Sequence, residues 1–294
     1  MSNRIFYGCL GIAPCGGTPI EGVQSVSLSA NRSVSTIFTP GKKTYSGKYS
    51  NLPDIELSYT KYVNSLTSFS SEAGLSDYTG FTILAGDDTK KCLSGSLTTI
   101  GFKQLLLSSI TYTISVDGPF TVERKYKGWS SEACASGGLG VFANCDTPIV
   151  STIKRRGCFS GSSLPSEISA QTIQSVTITF TVNREFINQL GSRKPYASYV
   201  TFPVETSCTF DVLAKSLSSI DFPQPVDCKN TSAVETNISL GIGGSSISID
   251  KAILTGLNYS GGEAKKGGSN LRISATYTSY ETPSSLKPFI ILYD

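Results

Sequence analysis

The sequence predicts an all-β protein built from two divergent copies of one strand pattern. Three observations predict it: a composition suited to strands and turns, short alternating segments punctuated by Gly and Pro, and self-similarity at a spacing of 150 residues. Hydrophobic residues make up 39% of the 294 and charged ones only 16%, while Ser, Thr, Gly and Tyr abound. That content suits a packed core and is too apolar for a disordered chain. β-Branched and aromatic side chains fit a pleated, half-buried surface, and no Ala/Glu/Leu/Lys run recurs at helical spacing. The length allows one large β domain or two of ordinary size.

The repeat organises the chain. Val23-Gln24-Ser25-Val26-Ser27-Leu28 aligns with Ile173-Gln174-Ser175-Val176-Thr177-Ile178. In the same register Ile37 meets Ile187, Gly41 meets Gly191, Lys43 meets Arg193, Tyr49 meets Tyr199 and Pro53 meets Pro203. Chance could supply one matching tripeptide, but hardly the following Gly, Tyr and Pro as well. Asn31-Arg32 recurs as Asn183-Arg184, two residues out of step. Near the ends, Ile110-Thr111-Tyr112 echoes Leu257-Asn258-Tyr259, and Val122 to Tyr126 echoes Ile273 to Tyr277.

Each copy reads in one order. A strand (Val23 to Ala30; Ile173 to Val182) precedes a second (Ser33 to Thr39; Glu185 to Leu190). A glycine-led, basic, tyrosine-bearing loop follows (Gly41 to Asn51; Gly191 to Thr201). A strand after proline comes next (Ile55 to Val63; Val204 to Ala214), then a variable stretch, with Ser71 to Tyr78 a candidate short helix. A hairpin closes each copy, turning at Asp117-Gly118-Pro119 and between Gly261 and Gly268. The domains are expected at 1–130 and 169–294, with 131–168 a Gly/Ser/Cys-rich linker and inserted loop.

Net charge is +3 and evenly shared, without the basic excess of a phosphate-gripping protein. The short basic runs at Lys42-Lys43, Lys90-Lys91, Lys154-Arg155-Arg156 and Lys265-Lys266 read as solvated turn tips. The first fifteen residues carry no secretory pattern, and no apolar run is long enough to span a bilayer. The expectation is a soluble product of the cytosol without a membrane partner.

Enzymatic chemistry finds little support. There is no histidine, the commonest general base near neutral pH. Asp87-Asp88 lies in a Gly-flanked turn and reads as a solvated loop. Gly241-Ile242-Gly243-Gly244-Ser245-Ser246 lacks the Gly-Lys-Ser/Thr ending of a phosphate cradle and runs into a strand, so it reads as a turn. The eight cysteines form no CxxC pair, which argues against zinc. Alternation from Val204 to Val212 puts Cys208 on the apolar face, as a buried small hydrophobe. Cys9, Cys15, Cys134, Cys145 and Cys158 lie in Gly/Ser-rich segments, and at least one pair among them is expected to oxidise once outside the cell. Trp129, the single tryptophan, is expected in a core or an interface. No cofactor signature is present.

The order of motifs resembles the tail tube proteins of tailed bacteriophages. The residues that carry the resemblance are Ile20-Glu21-Gly22-Val23-Gln24-Ser25-Val26, Phe38-Thr39-Pro40-Gly41, Pro53-Asp54-Ile55-Glu56-Leu57 and the hairpin Ile110 to Glu123. It covers most of residues 20–128 and, more faintly, 170–281. The resemblance implies two tandem β-sandwich or barrel-like domains whose sheets join those of neighbouring subunits into a closed ring. It implies a non-enzymatic virion protein, assembled in the host cytoplasm, whose stacked rings form the tail conduit. Its partners would be further copies of itself and other tail proteins such as sheath or baseplate, with genomic DNA passing through unheld.

The recurring loop residues Lys42, Lys43, Tyr45, Tyr49, Arg193, Lys194, Tyr196 and Tyr199 would then contact the adjacent ring, since Tyr and Arg favour interfaces. Two domains per chain predict trimeric, pseudo-hexameric rings. The chain departs from the family in being slightly basic where tube lumens tend to be acidic. Two other classes compete: a tail terminator, baseplate or hub component of the same fold, and a secreted adhesive or carbohydrate-binding β-sandwich. The sequons at Asn31, Asn230, Asn237 and Asn258 bear only on the last.

Overall fold

The computed structural model describes residues 9–14, 20, 22–41, 43–51, 53–63, 79–86, 98–130, 153–192, 195–215, 234–261, 271–281 and 289–291. Nearly all are strand. In the first half they form β1 (Cys9–Pro14), β2 (Val23–Asn31), β3 (Val34–Ile37), β4 (Gly47–Ser50), β5 (Asp54–Tyr62), β6 (Thr79–Gly86), β7 (Thr98–Ser115) and β8 (Thr121–Ser130). After a 3-10 turn at Arg156–Cys158 come β9 (Phe159–Ser163) and a one-turn helix, α1 (Ser166–Ser169). Then follow β10 (Thr172–Thr181), β11 (Arg184–Asn188), β12 (Pro195–Val200), β13 (Glu205–Leu213), β14 (Glu235–Ile242), β15 (Ser245–Ser260), β16 (Arg272–Ser279) and β17 (Phe289–Ile291). The all-β expectation holds.

Twelve strands share one antiparallel sheet in the order β2-β5-β8-β7-β10-β13-β16-β15-β14-β9, with β6 on β7 and β1 on β6. The order β2-β5-β8-β7-β6 thus recurs as β10-β13-β16-β15-β14, with β1 capping one run and β9 the other. The ladders also slip at corresponding places. Val23/Ser25 answers to Ile173/Ser175, Leu107/Ser109 to Leu254/Gly256, and Thr79/Phe81 to Thr236/Ile238. Gln104 (φ 59°) and Lys251 (φ 50°), the non-glycine residues of positive φ among those described, sit at matching points of the two long strands β7 and β15. Such backbone persists only where the surroundings enforce it. Here it lies near the point where the pairing changes, since β15 pairs with β14 through Ile253 and with β16 from Ile253 onward.

Period-two burial explains the core. β13 buries Thr206, Cys208, Phe210 and Val212 and turns the intervening residues outward. The inner faces of both runs merge into one cluster that includes Leu57, Ile110, Phe120, Val176, Ile178, Phe210, Leu240 and Ile273. Aromatic pairs recur at matching positions: Tyr59 stacks on Tyr126 at 6.2 Å, and Phe210 meets Tyr277 edge-on at 6.0 Å. Beside the sheet lie a two-stranded hairpin, β3–β4, and a three-stranded sheet, β11-β12-β17.

Several sequence readings acquire detail. The Gly-rich stretch Gly241 to Ser246 is the two-residue turn of the β14–β15 hairpin, with Gly243 at φ 55° and Gly244 at φ 92°. Both central residues need positive φ in such a turn, which is why glycines occupy them. The tyrosine-bearing segments are not wholly loops, because β4 and β12 return from the glycine turns as strands. Small and polar residues disguised that strand character. The stretch 131–168, read as linker and inserted loop, contributes β9, which pairs with β14, and α1. Ser71 to Tyr78 and Asp87-Asp88 lie outside the described residues.

Two consequences of the core are measurable. Phe210→Ala, which empties a fully buried ring site, should cost about 3–5 kcal/mol by urea unfolding. Burial pushes the Cys208 thiol from 9.0 up to about 12, and burial, then the Glu167 charge, raises the Tyr277 phenol. Both groups hold their protons more tightly when folded. The Cys208 contribution to stability is therefore full below pH 9.0 and is lost as pH rises toward 12, while that of Tyr277, full below pH 10.0, is lost at still higher pH. The urea midpoint should fall across that window, and less steeply in Cys208→Ala.

Candidate assembly interface

The junction between the two runs is itself a strand pairing. The second half of β7 runs antiparallel to β10, with Ser109 opposite Thr181, Tyr112 opposite Ile178 and Ser115 opposite Ser175. The Val182 amide donates to the Ser108 carbonyl and the Val116 amide to the Gln174 carbonyl, extending the ladder at both ends. Thr111 and Thr179 hydroxyls meet at 3.2 Å, and Tyr112 packs edge-on against Phe180 at 6.5 Å. The joint buries Ile110, Tyr112, Val176 and Ile178 completely or nearly so.

Among the described residues the corresponding two edges have no ladder partner, although β1 lies beside the start of β2, with the Ile20 amide donating to the Ile12 carbonyl. Among the described residues β2 pairs with β5 alone, and Leu254 to Ser260 of β15 pairs with β16 alone. The shared ladder registers make β2 the counterpart of β10 and this half of β15 the counterpart of β7 beyond its bulge. Val26 and Leu28 are half-exposed where Val176 and Ile178 are sealed, and Leu257 and Tyr259 are half-exposed where Ile110 and Tyr112 are sealed. Neither free edge carries a charge or a proline, the usual guards against strand addition.

The two hairpins occupy different surroundings. β11–β12 turns back over the first run, where Phe186 meets Trp129 edge-on at 5.0 Å and the pair closes over Leu106. Trp129, expected in a core or interface, is buried there by packing; its indole N–H has no partner among the described residues. Burial holds the Arg184 guanidinium on the same hairpin down at about 10, still charged at neutral pH. β12 gains β17 as a third strand, whereas β3–β4 pairs only with itself.

The loop residues singled out by the sequence fall on these hairpins. Tyr45, Tyr49, Tyr196 and Tyr199 are all exposed, as is Lys43. Lys48 sits 4.6 Å over the Tyr45 ring, and the Tyr199 hydroxyl donates to the Glu185 carboxylate, a bond that raises the phenol above its usual range. Lys42, Arg193 and Lys194 lie outside the described residues, as do Cys15, Cys134 and Cys145. Of the remaining cysteine candidates, Cys9 lies in β1 and Cys158 is a half-buried free thiol. The open edges of β2 and β15 were not recognised from sequence; uncharged alternation in Val23 to Asn31 was the available signal.

The described surface offers little for small-molecule chemistry. A cavity of about 40 Å³ lies at the joint beside Ile114, Phe120 and Phe159, and a larger one of about 180 Å³ lies over β2, β5 and β8 beside Ser29, Glu56 and Lys125; both are below the roughly 300 Å³ at which organic-ligand pockets begin. No group of three His, Cys, Asp or Glu residues among the described ones could hold a metal ion. No described helix is long and apolar enough to cross a membrane. No protein-family model matches the chain, and no curated protein matches it in sequence.

Edge position predicts unequal tolerance at matched sites. Leu28→Lys can lift its ammonium into water past an open edge and should cost about 1 kcal/mol or less. Ile178→Lys places the charge in the sealed joint and should cost more than about 4 kcal/mol. Urea titrations of dilute protein compare the two.

Proposed function

We propose that this chain is a non-enzymatic structural protein that polymerises head to tail, the tail tube subunit of a tailed phage with its fold duplicated in one chain. The observation that carries the reading is the β7–β10 joint together with the unpaired counterparts of its two edges. Inside one molecule, a run of strands recruits the next by edge addition; the free half of β15 offers the same edge to β2 of another copy. Matching strand order, bulge positions and positive-φ residues support a common origin for the two runs.

Carried across copies, the register pairs Asn258 with Ser29, Leu257 with Ala30 and Tyr259 with Leu28, as Thr111, Ile110 and Tyr112 pair with Thr179, Phe180 and Ile178. A head-to-tail contact that repeats closes into a ring when its rotation divides the circle. With one joint inside each chain and one between chains, three copies give six joints and pseudo-sixfold symmetry. The exposed tyrosines and cations of the hairpin tips are suited to the face of the next ring, and DNA would pass through the bore.

Two experiments test this. In Ser29→Cys/Asn258→Cys protein, mild oxidation should produce chains linked in closed trimers on non-reducing gels; the 3.2 Å approach of Thr111 and Thr179 shows that side chains at such a pair can meet. Electron microscopy of the purified protein should show long uniform tubes of trimeric rings. Single rings would favour a terminator, baseplate or hub component, and monomers an adhesive sandwich. Charge reversal at Lys42 and Lys43, or at Arg193 and Lys194, to Glu should shorten tubes while leaving rings intact; unchanged tube length removes these loops from the stacking contact.

A further inference from the structure

The β3–β4 hairpin is exposed, carries its apolar residues on β3, and among the described residues pairs only with itself. Val34, Ile37 and Phe38 are 55%, 50% and 67% exposed, and no charge falls between Val34 and Thr39. A lone two-stranded hairpin is marginal in water. Its counterpart β11–β12 escapes that condition by lying across the first run, where Phe186 covers Trp129 and Leu106.

The shared registers identify the corresponding seat on the second run. In β15–β16, Ile253 lies opposite Thr278; in β7–β8, Leu106 lies opposite Lys127. Ile253 therefore answers to Leu106, and Tyr280, two residues past Thr278, answers to Trp129, two residues past Lys127. Trp129 is 5% exposed and Tyr280 52% exposed; Leu106 is buried and Ile253 only half-buried. One seat is covered and its counterpart is bare.

The hairpin face also corresponds. Ser35 pairs with Tyr49 as Glu185 pairs with Tyr199, which makes Thr36 the counterpart of Phe186. Alternation puts Val34 and Phe38 on the same face as Thr36, so two apolar side chains flank the position that Phe186 fills alone, with Lys48 opposite Thr36 where Ser198 is opposite Phe186.

We propose that the β3–β4 hairpin of one copy lies across Tyr280 and Ile253 of the neighbouring copy in the same ring. The inference rests on the head-to-tail reading, because only the β15–β2 joint carries the hairpin over the neighbour's second run as the β7–β10 joint carries β11–β12 over the first. The occupant is a second copy of this chain. The exposed apolar residues of β3 and the bare aromatic seat belong to different runs, and the head-to-tail joint brings them together between molecules. Buried aromatic anchors of this kind dominate interface energetics.

The test uses the full chain bearing the Ser29→Cys/Asn258→Cys pair as an independent reporter of the strand joint. Tyr280→Asp and, separately, Phe38→Asp with Val34→Asp should raise the critical concentration for assembly roughly tenfold or more by sedimentation. Their circular dichroism and urea midpoints as monomers should remain those of the parent, since the altered side chains are exposed. Thr36→Phe with Tyr280→Trp, which copies the internal Phe186–Trp129 pair, should lower the critical concentration. Normal assembly and normal cross-linking in both Asp variants would overturn the hairpin contact and leave the head-to-tail reading standing. Absence of the Ser29–Asn258 cross-link in the otherwise unaltered chain, with only monomers at every concentration, would overturn both.

Discussion

A strand edge buried without a partner leaves a row of amides and carbonyls unsatisfied, and this constraint governs the whole molecule. β7 meets it by dividing one edge between two neighbours: β6 takes Thr98 to Leu105, and β10 takes Ser109 to Ser115. Because β10 opens the second run, that division turns two sets of strands into one sheet with one core. The same division at β15 is half completed, with β14 in place and nothing described beyond Leu254. Among the described residues the molecule thus carries one such joint, and the two corresponding edges have no ladder partner.

Dividing an edge requires the strand to bend, and the bend uses the same devices in both runs. A ladder slip after Leu107 or Leu254 and a positive φ at Gln104 or Lys251 accompany the change of pairing partner. Side chains at these points differ while the backbone conformation matches. Gln104 is buried, whereas Lys251 reaches solvent and pairs with Glu281. Backbone geometry is what the sheet needs there, so the side chain is free to adapt to its surroundings.

Differences between matched positions elsewhere track contact. Phe186 has a tryptophan to cover within its own chain, and its counterpart Thr36 does not. Phe180 packs on Tyr112 across the finished joint, and its counterpart Ala30 lies on an open edge. β2 is correspondingly more exposed along its length than β10. Paired positions are large and sealed where the fold supplies a neighbour and small or half-exposed where it does not.

The sequence by itself determined the class and most of the strand order. Period-two alternation, as in Val204 to Val212, depends on local backbone geometry and so can be read directly. The in-register repeat placed β2, β3, β5, β10, β11 and β13 close to their observed positions. β4 and β12 were concealed among Gly, Ser and Lys, and β9 within a presumed linker, because their strand character comes from pairing with distant partners. Only the tertiary structure decided that β7 joins β10, that β2 and the second half of β15 each keep one edge without a ladder partner among the described residues, and that Trp129 is sealed by Phe186. Those outcomes are sums over contacts between residues far apart in the chain, and local alternation says which face of a strand is apolar without saying which edge is left open.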